Sequence, residues 1–303
     1  MRPIRFEPYL IEEVVFLRVK QAEALGQKDL VRSFHEARTL LYAKADEEDL
    51  KQGFQDMAWS FFRSFGLDQY FLDLFQEFPL LLASDLNVHV KSTFHKNQER
   101  AELFVDTFSQ TLIVSLRVHQ LLDISRLAPF LRHELMHISD MLDLEFHYDP
   151  KPVLGGTGQI EEELVRDRFR VLWNLYVSVR LAQSGRTPYM PFDDLKGEFE
   201  KSFSHLEGDG KEKVIRDFLE RKRWTQSDLI QLARNDRSNR LLGEGGLRCP
   251  LCHFTSYEGK RFWGAEHRPI MNEIQNDFPG WTSSEGLCTQ CFDLYDSRVR
   301  VTT

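Results

Sequence analysis

The chain has 303 residues, enough for one sizeable core with an appendage or for two to three small domains. A formal net charge of −8 argues against a general binder of nucleic acid or anionic membrane. Residues Met1 to Lys20 interrupt their apolar positions with Glu7, Glu12 and Glu13, no run approaches a membrane span, and there are only four cysteines. These features lead us to expect a cytoplasmic protein with no membrane association, and the 24 phenylalanines point to a large aromatic core.

Taken in chain order, residues 11–75 read as several helices. Val14, Val15 and Leu17, then Leu30, Val31, Phe34, Ala37 and Leu40, then Phe54, Ala58, Phe61 and Phe62 follow helical spacing. After Pro79 the pattern changes to strands. Residues 87–94 alternate, 102–105 follow, and 111–116 (Thr-Leu-Ile-Val-Ser-Leu) are β-branched and apolar. Leu127, Phe130, Leu131, Leu135, Ile138, Met141 and Leu142 then recur every three or four residues as a buried amphipathic helix. Asp123 or Ser125 can cap it, with a regular first turn expected near Pro129. A turn-rich stretch, Gly155-Gly156-Thr157-Gly158, precedes a long helix expected from Ile160 to Ala182, which Gly185 is placed to end. Short charged helices should fill 186–240, and Gly243-Glu244-Gly245-Gly246 should form a hinge before the cysteine-bearing C-terminus.

The buried amphipathic helix carries His133-Glu134-Leu135-Met136-His137. Two histidines at i and i+4 share a helix face and can present two imidazole nitrogens to one zinc ion. The intervening Glu134 lies about 100° round the helix, where a carboxylate can act as general base on metal-bound water. The alternative is two histidines satisfied by hydrogen bonds on a packed helix. Catalytic zinc takes a third protein ligand. Here Glu163 and Asp167, on the second long helix, resemble the thermolysin-like gluzincins, in which HExxH is followed by a helix bearing a glutamate ligand and an aspartate four residues later. That resemblance implies Glu163 as ligand and Asp167 as a group orienting a histidine. Asp143, His147, Asp167 and Asn174 stand as alternative third ligands, and Tyr148 and Tyr176 as candidates for stabilising an oxyanion.

All four cysteines fall in two CxxC pairs, Cys249/Cys252 and Cys288/Cys291, separated by 35 residues. Four thiolates complete a tetrahedral structural zinc site and leave no open position; two disulfides or a redox pair are the alternatives. HExxH followed by paired knuckles resembles the architecture of SprT-like proteins, which join a small metalloprotease domain to a C-terminal zinc module. Between Cys249 and Cys291, Lys260, Arg261 and Arg268 stand against Glu258, Glu266, Glu273, Asp277 and Glu285, so nucleic-acid binding by this module is not expected. The expected fold class is α+β, mainly helical, with a small zincin-like sheet before the HExxH helix and a C-terminal zinc ribbon. The expected partition is a helical region 1–78, a metallopeptidase core 79–185, a charged connector 186–242 and a four-cysteine zinc ribbon 243–303. The expected function is zinc-dependent hydrolysis of a peptide or protein substrate, with one catalytic and one structural zinc. A non-catalytic zinc protein serving protein interaction is the alternative.

Overall fold

In a computed structural model of the chain, the described residues are 3–44, 47–107, 109–154, 159–204, 206, 208–221, 223–234, 247–256, 259–260, 267–283 and 286–302. The glycine-rich stretches 155–158 and 243–246 lie outside them. The protein is mainly helical, with one small mixed sheet of four strands. No helix among the described residues is long and apolar enough to cross a membrane.

A short strand β1 (Arg5–Phe6) leads into α1 (Pro8–Ala24), where proline's fixed φ and missing N–H suit the first helical turn. Helices α2 (Lys28–Lys44), α3 (Glu47–Ser64) and α4 (Leu67–Gln76) follow, as the periodicity predicts, and a further short helix, α5 (Pro79–Ala83), lies where the change to strands was expected. Strands β2 (Leu86–Ser92), β3 (Arg100–Val105) and β4 (Gln110–Leu116) complete a sheet of order β1-β2-β4-β3. β1, β2 and β4 run parallel, while β3 runs antiparallel to β4 and forms the sheet edge. Alternation sends Leu86, Val88, Val90, Leu112, Val114 and Leu116 into the core, where Val88 pairs with Leu112 and Val90 with Val114. The same core takes Leu10 and Val14 from α1, Phe62 from α3, Phe71 and Phe75 from α4 and Leu81 from α5.

After α6 (Val118–Leu122) comes α7 (Ile124–Leu142), the helix that carries HELMH. It starts five residues before Pro129, because Asp123 caps it by accepting hydrogen bonds from the Ser125 backbone N–H (3.1 Å) and hydroxyl (2.5 Å). Leu131, Leu135 and Ile138 face the sheet core. The long α8 (Gln159–Gln183) ends in a Schellman turn: Gly185 sits at φ 74°, Arg186 N–H donates to the Leu181 carbonyl and Gly185 N–H to that of Ala182. α8 packs with α9 (Phe192–Ser202), α10 (Gly208–Glu220) and α11 (Gln226–Arg234) around a second core that includes Leu172, Val177, Phe199, Phe203 and Phe218. Met136 and Met141 of α7 touch both cores.

The cysteine-bearing region has a third, small core of Leu251, Ile270, Ile274, Trp281, Leu287 and Tyr295 around Cys249 and Cys288. Two short antiparallel pairs, Leu247–Arg248 with Thr255–Ser256 and Gly259–Lys260 with Leu287–Cys288, bring the CxxC segments together. The first CxxC turn closes through His253 N–H donating to the Cys249 carbonyl (2.8 Å) and Cys249 N–H to the Phe254 carbonyl (2.9 Å). This turn holds His253 at φ 60°, a left-handed conformation that costs about 1 kcal/mol for a residue with a Cβ. His253→Gly is therefore expected to stabilise the region by up to about 1 kcal/mol, read as a later thermal transition. An earlier transition would show that the imidazole makes contacts worth more than the strain.

Candidate functional site

α7 and α8 pack against one another, and the register of that packing decides which side chains meet the two histidines. Asp140, one turn beyond His137, is 3 % exposed. Its carboxylate accepts from Trp173 Nε1 (2.8 Å) and from the Arg180 guanidinium (2.6 and 2.7 Å), both on α8. Burial raises the pKa of Asp140, while Arg180 and Trp173 oppose the rise. The anchored Trp173 indole stands edge-on to the His137 ring, centroids 4.5 Å apart and planes at 88°, and stacks on Phe146. Asn174, the next residue on α8, thereby reaches the histidine pair.

Three polar atoms converge there. His137 Nε2 lies 3.2 Å from His133 Nε2 and 3.1 Å from Asn174 Oδ1. His133 is buried and His137 half-buried, and Nδ1 of each ring is buried with no hydrogen-bond partner. Burial lowers the pKa of His133 to about 4 and that of His137 well below the ordinary histidine value, so both rings are neutral at pH 7. With each proton on Nδ1, the two Nε2 lone pairs and the amide oxygen face one another. A cation bound there would resolve that clustering. Two nitrogens on one tetrahedral zinc at bonds of about 2.0 Å stand about 3.3 Å apart, so the His133–His137 spacing fits the ion. The third polar atom is a neutral amide oxygen, a class of donor harder and weaker toward zinc than carboxylate or imidazole.

Glu134, about 100° round α7 from His133, reaches the sheet edge at β3. Its Oε2 accepts from the Ala101 backbone N–H on β3 at 2.7 Å. Burial raises its pKa to about 7 against the opposing pull of that N–H and of Arg100. The segment that leaves α8 places Tyr189 over the same region. Its ring is 6.0 Å from that of His133 and 5.3 Å from that of Phe130. Burial and the nearby Glu99 and Glu134 charges raise the Tyr189 pKa, and Arg117 opposes them.

The sequence-based choice of Glu163 is not what the structure places at the histidines. Glu163 is exposed and sits eleven residues before Asn174 on α8, roughly 16 Å along a helix axis. Asp167 is likewise exposed and pairs with Arg170 (3.3 Å). Asp143 caps the end of α7 and accepts from Glu145 N–H (2.9 Å), while exposed His147 donates through Nδ1 to the Glu145 carbonyl (3.0 Å). Among the described residues, no third His, Cys, Asp or Glu joins His133 and His137. Of the alternatives, Asn174 is the one brought into contact. Tyr176 turns toward α11, its hydroxyl accepting from Trp224 N–H (3.2 Å), and Tyr148 packs against Trp173. Tyr189 and Asp140 were missed as site residues, since neither belongs to a spacing pattern.

Comparison with protein-family models, curated proteins and solved structures finds no match. The site is therefore read from its own chemistry.

The second site is the cysteine cluster. The ligand atoms of Cys249, Cys252, Cys288 and Cys291 all lie within 4.8 Å of one another, a set that can hold a metal such as zinc. Burial raises the Cys249 pKa, but the backbone N–H groups of Cys252, Cys288 and Leu251 outweigh it and bring it down to about 7. Burial and the neighbouring thiols push Cys291 up. A divalent ion removes that mutual opposition by holding all four as thiolates.

Two measurements follow from this geometry. Asp140→Asn keeps an acceptor for Trp173 but leaves Arg180 without its counter-charge, and should cost about 2 kcal/mol in urea unfolding. A loss of a few tenths would show the pair to be dispensable. For the pH response, the folded pKa of His133, about 4, lies below its unfolded value of 6.5. The unfolded chain therefore takes up a proton that the fold refuses, and chelator-treated protein should lose stability as pH falls from about 6.5 to about 4. His133→Asn should flatten that slope, and a slope unchanged in the variant would assign it to other groups.

Proposed function

We propose that the chain is a zinc-dependent peptidase with a zincin-like core, in which His133, His137 and Asn174 hold the metal and Glu134 is the general base. The observation that carries this reading is the convergence of His133 Nε2 (3.2 Å) and Asn174 Oδ1 (3.1 Å) on His137 Nε2, with the half-buried carboxylate of Glu134 adjacent in sequence to one of them. Zinc bound to these atoms would polarise a substrate carbonyl and lower the pKa of a water molecule. Glu134 Oε2 is held by Ala101, so Oε1 is the atom that takes the water's proton and returns it to the leaving nitrogen. Tyr189, whose ring lies 6.0 Å from that of His133, is the side chain that would donate to a developing oxyanion. β3 is the sheet edge, and Ala101 turns its N–H to Glu134 instead of to β4. An extended peptide laid along that edge would pass the base, which supports a peptide bond as the substrate.

The four-cysteine cluster supports a structural zinc that folds the C-terminal region around itself. Four cysteines without a disulfide suit a reducing compartment, which supports the cytoplasm as location. A second reading, a non-catalytic zinc protein that serves protein interaction, is favoured by one observation: an amide, and no carboxylate or imidazole, occupies the third position.

Elemental analysis separates the two. Two zincs per chain are expected, one lost in His133→Ala/His137→Ala and the other in Cys249→Ser/Cys252→Ser. Asn174→Asp should tighten the histidine site about tenfold by supplying a carboxylate. Glu134→Gln should keep both zincs and lose hydrolysis of a casein or peptide-library substrate. One zinc in the wild type, lost only with the cysteines, would leave the interaction reading.

A further inference from the structure

A cavity of about 1060 Å³ opens beside the histidine site. Tyr189, which packs on His133, forms one wall, and Pro129 of α7 forms part of the floor. Pro129 precedes His133 by four residues, one helical turn or about 6 Å, a distance that two residues of extended peptide span. A substrate whose scissile bond lies at His133 and His137 therefore reaches this cavity within about two residues.

The charge of the wall runs against that of the chain. Lys96, Arg117 and Arg126 face the cavity against one carboxylate, Asp123, in a protein of net charge −8. Arg117 is held from beneath by Glu99, which accepts from its guanidinium (3.0 Å) and its backbone N–H (3.1 Å) and is only 2 % exposed. A ligand thus meets the guanidinium and not the carboxylate that orients it. Asp123 is engaged by Ser125 at the α7 cap and by Arg126 at 3.4 Å. Counting Glu99 and Asp123 against Arg117 and Arg126 leaves Lys96, exposed and without an ion partner among the described residues, as the uncompensated charge. One net positive charge in a pocket matches a single carboxylate; a polyanion tracking along a surface requires many.

We infer that this cavity receives a carboxylate of the substrate within about two residues of the scissile bond, so that the enzyme selects peptides with an acidic residue or a free C-terminus at that place. The inference deepens the peptidase reading and rests on it for the position of the scissile bond. Binding itself does not depend on turnover, and the two therefore fail separately.

The test is fluorescence anisotropy on the full chain with four short fluorescein-labelled peptides: an Asp/Glu-containing peptide with amidated C-terminus, its Asn/Gln counterpart amidated, the same counterpart with a free carboxylate, and a Lys-containing one. An acidic or free-carboxylate peptide should bind about tenfold more tightly than the amidated neutral one. The long-range field of the protein opposes this preference, so it reports the pocket. The arm that wins identifies the source of the carboxylate. Lys96→Glu and Arg126→Ala, both at exposed positions, should bring the affinities to parity. Equal binding of acidic and neutral peptides, or a preference unchanged in both variants, would overturn the inference, as would displacement of the acidic peptide by single-stranded DNA at low concentration. Selective binding without cleavage would overturn the peptidase reading alone, and cleavage without selectivity the inference alone.

Discussion

The buried carboxylate of Asp140 is the interaction on which the arrangement of the site depends. It belongs to α7, whose inner face completes the sheet core, and both its partners, Trp173 and Arg180, belong to α8 of the second core. A carboxylate this buried is tolerated only if its charge and lone pairs are met, so α7 and α8 have one register in which they can close. In that register the Trp173 indole fixes one side of the His137 ring and Asn174 faces its Nε2. Which α8 side chain meets the histidines is therefore a consequence of packing about one helical turn beyond the motif.

This explains what could and could not be read from the amino-acid sequence. The HELMH helix and strands β2 and β4 were legible because periodicity reports burial directly, and most of their apolar side chains do bury as the pattern implies, whereas Phe104 and Val105 on β3 are exposed. The paired cysteines were legible because two short CxxC turns carry their own local geometry, and the four thiols do cluster. Glu163 was selected by its spacing to Asp167, a relation internal to α8 that carries no information about how far that helix slides along α7. Only the fit of Trp173 between Asp140, His137 and Phe146 sets that offset. Asp140 belongs to no spacing pattern, although its burial makes it the anchor of the site. Tyr189 was invisible for a different reason. It sits in a connector, and the left-handed Gly185 that turns the chain back across α7 dictates where the connector goes but not which of its residues lands on His133.

The sheet constrains the site from the opposite side. β3 reverses direction beside β4 and leaves its outer edge unpaired within the sheet. A free edge is a hazard for association unless something occupies it. Here the Ala101 N–H is met by Glu134, so the same backbone group that would otherwise template another strand instead orients the proposed base. The cost is a carboxylate held away from water, and the raised pKa of Glu134 is its electrostatic expression.

An all-neutral donor set gives the proposed metal site a definite character. With two imidazoles and an amide, no donor atom would carry a charge to offset the ion, so a water bound there, Glu134 and a substrate carboxylate would feel its positive charge. The same lack of compensation weakens retention, since a hard neutral oxygen contributes less to zinc than a carboxylate does. Stronger polarisation and weaker holding are thus linked through one residue, Asn174, whose position is itself secured by Trp173 and Asp140. Tight packing around a weak donor offsets part of that loss, because ligands already fixed in place give up little conformational freedom on binding.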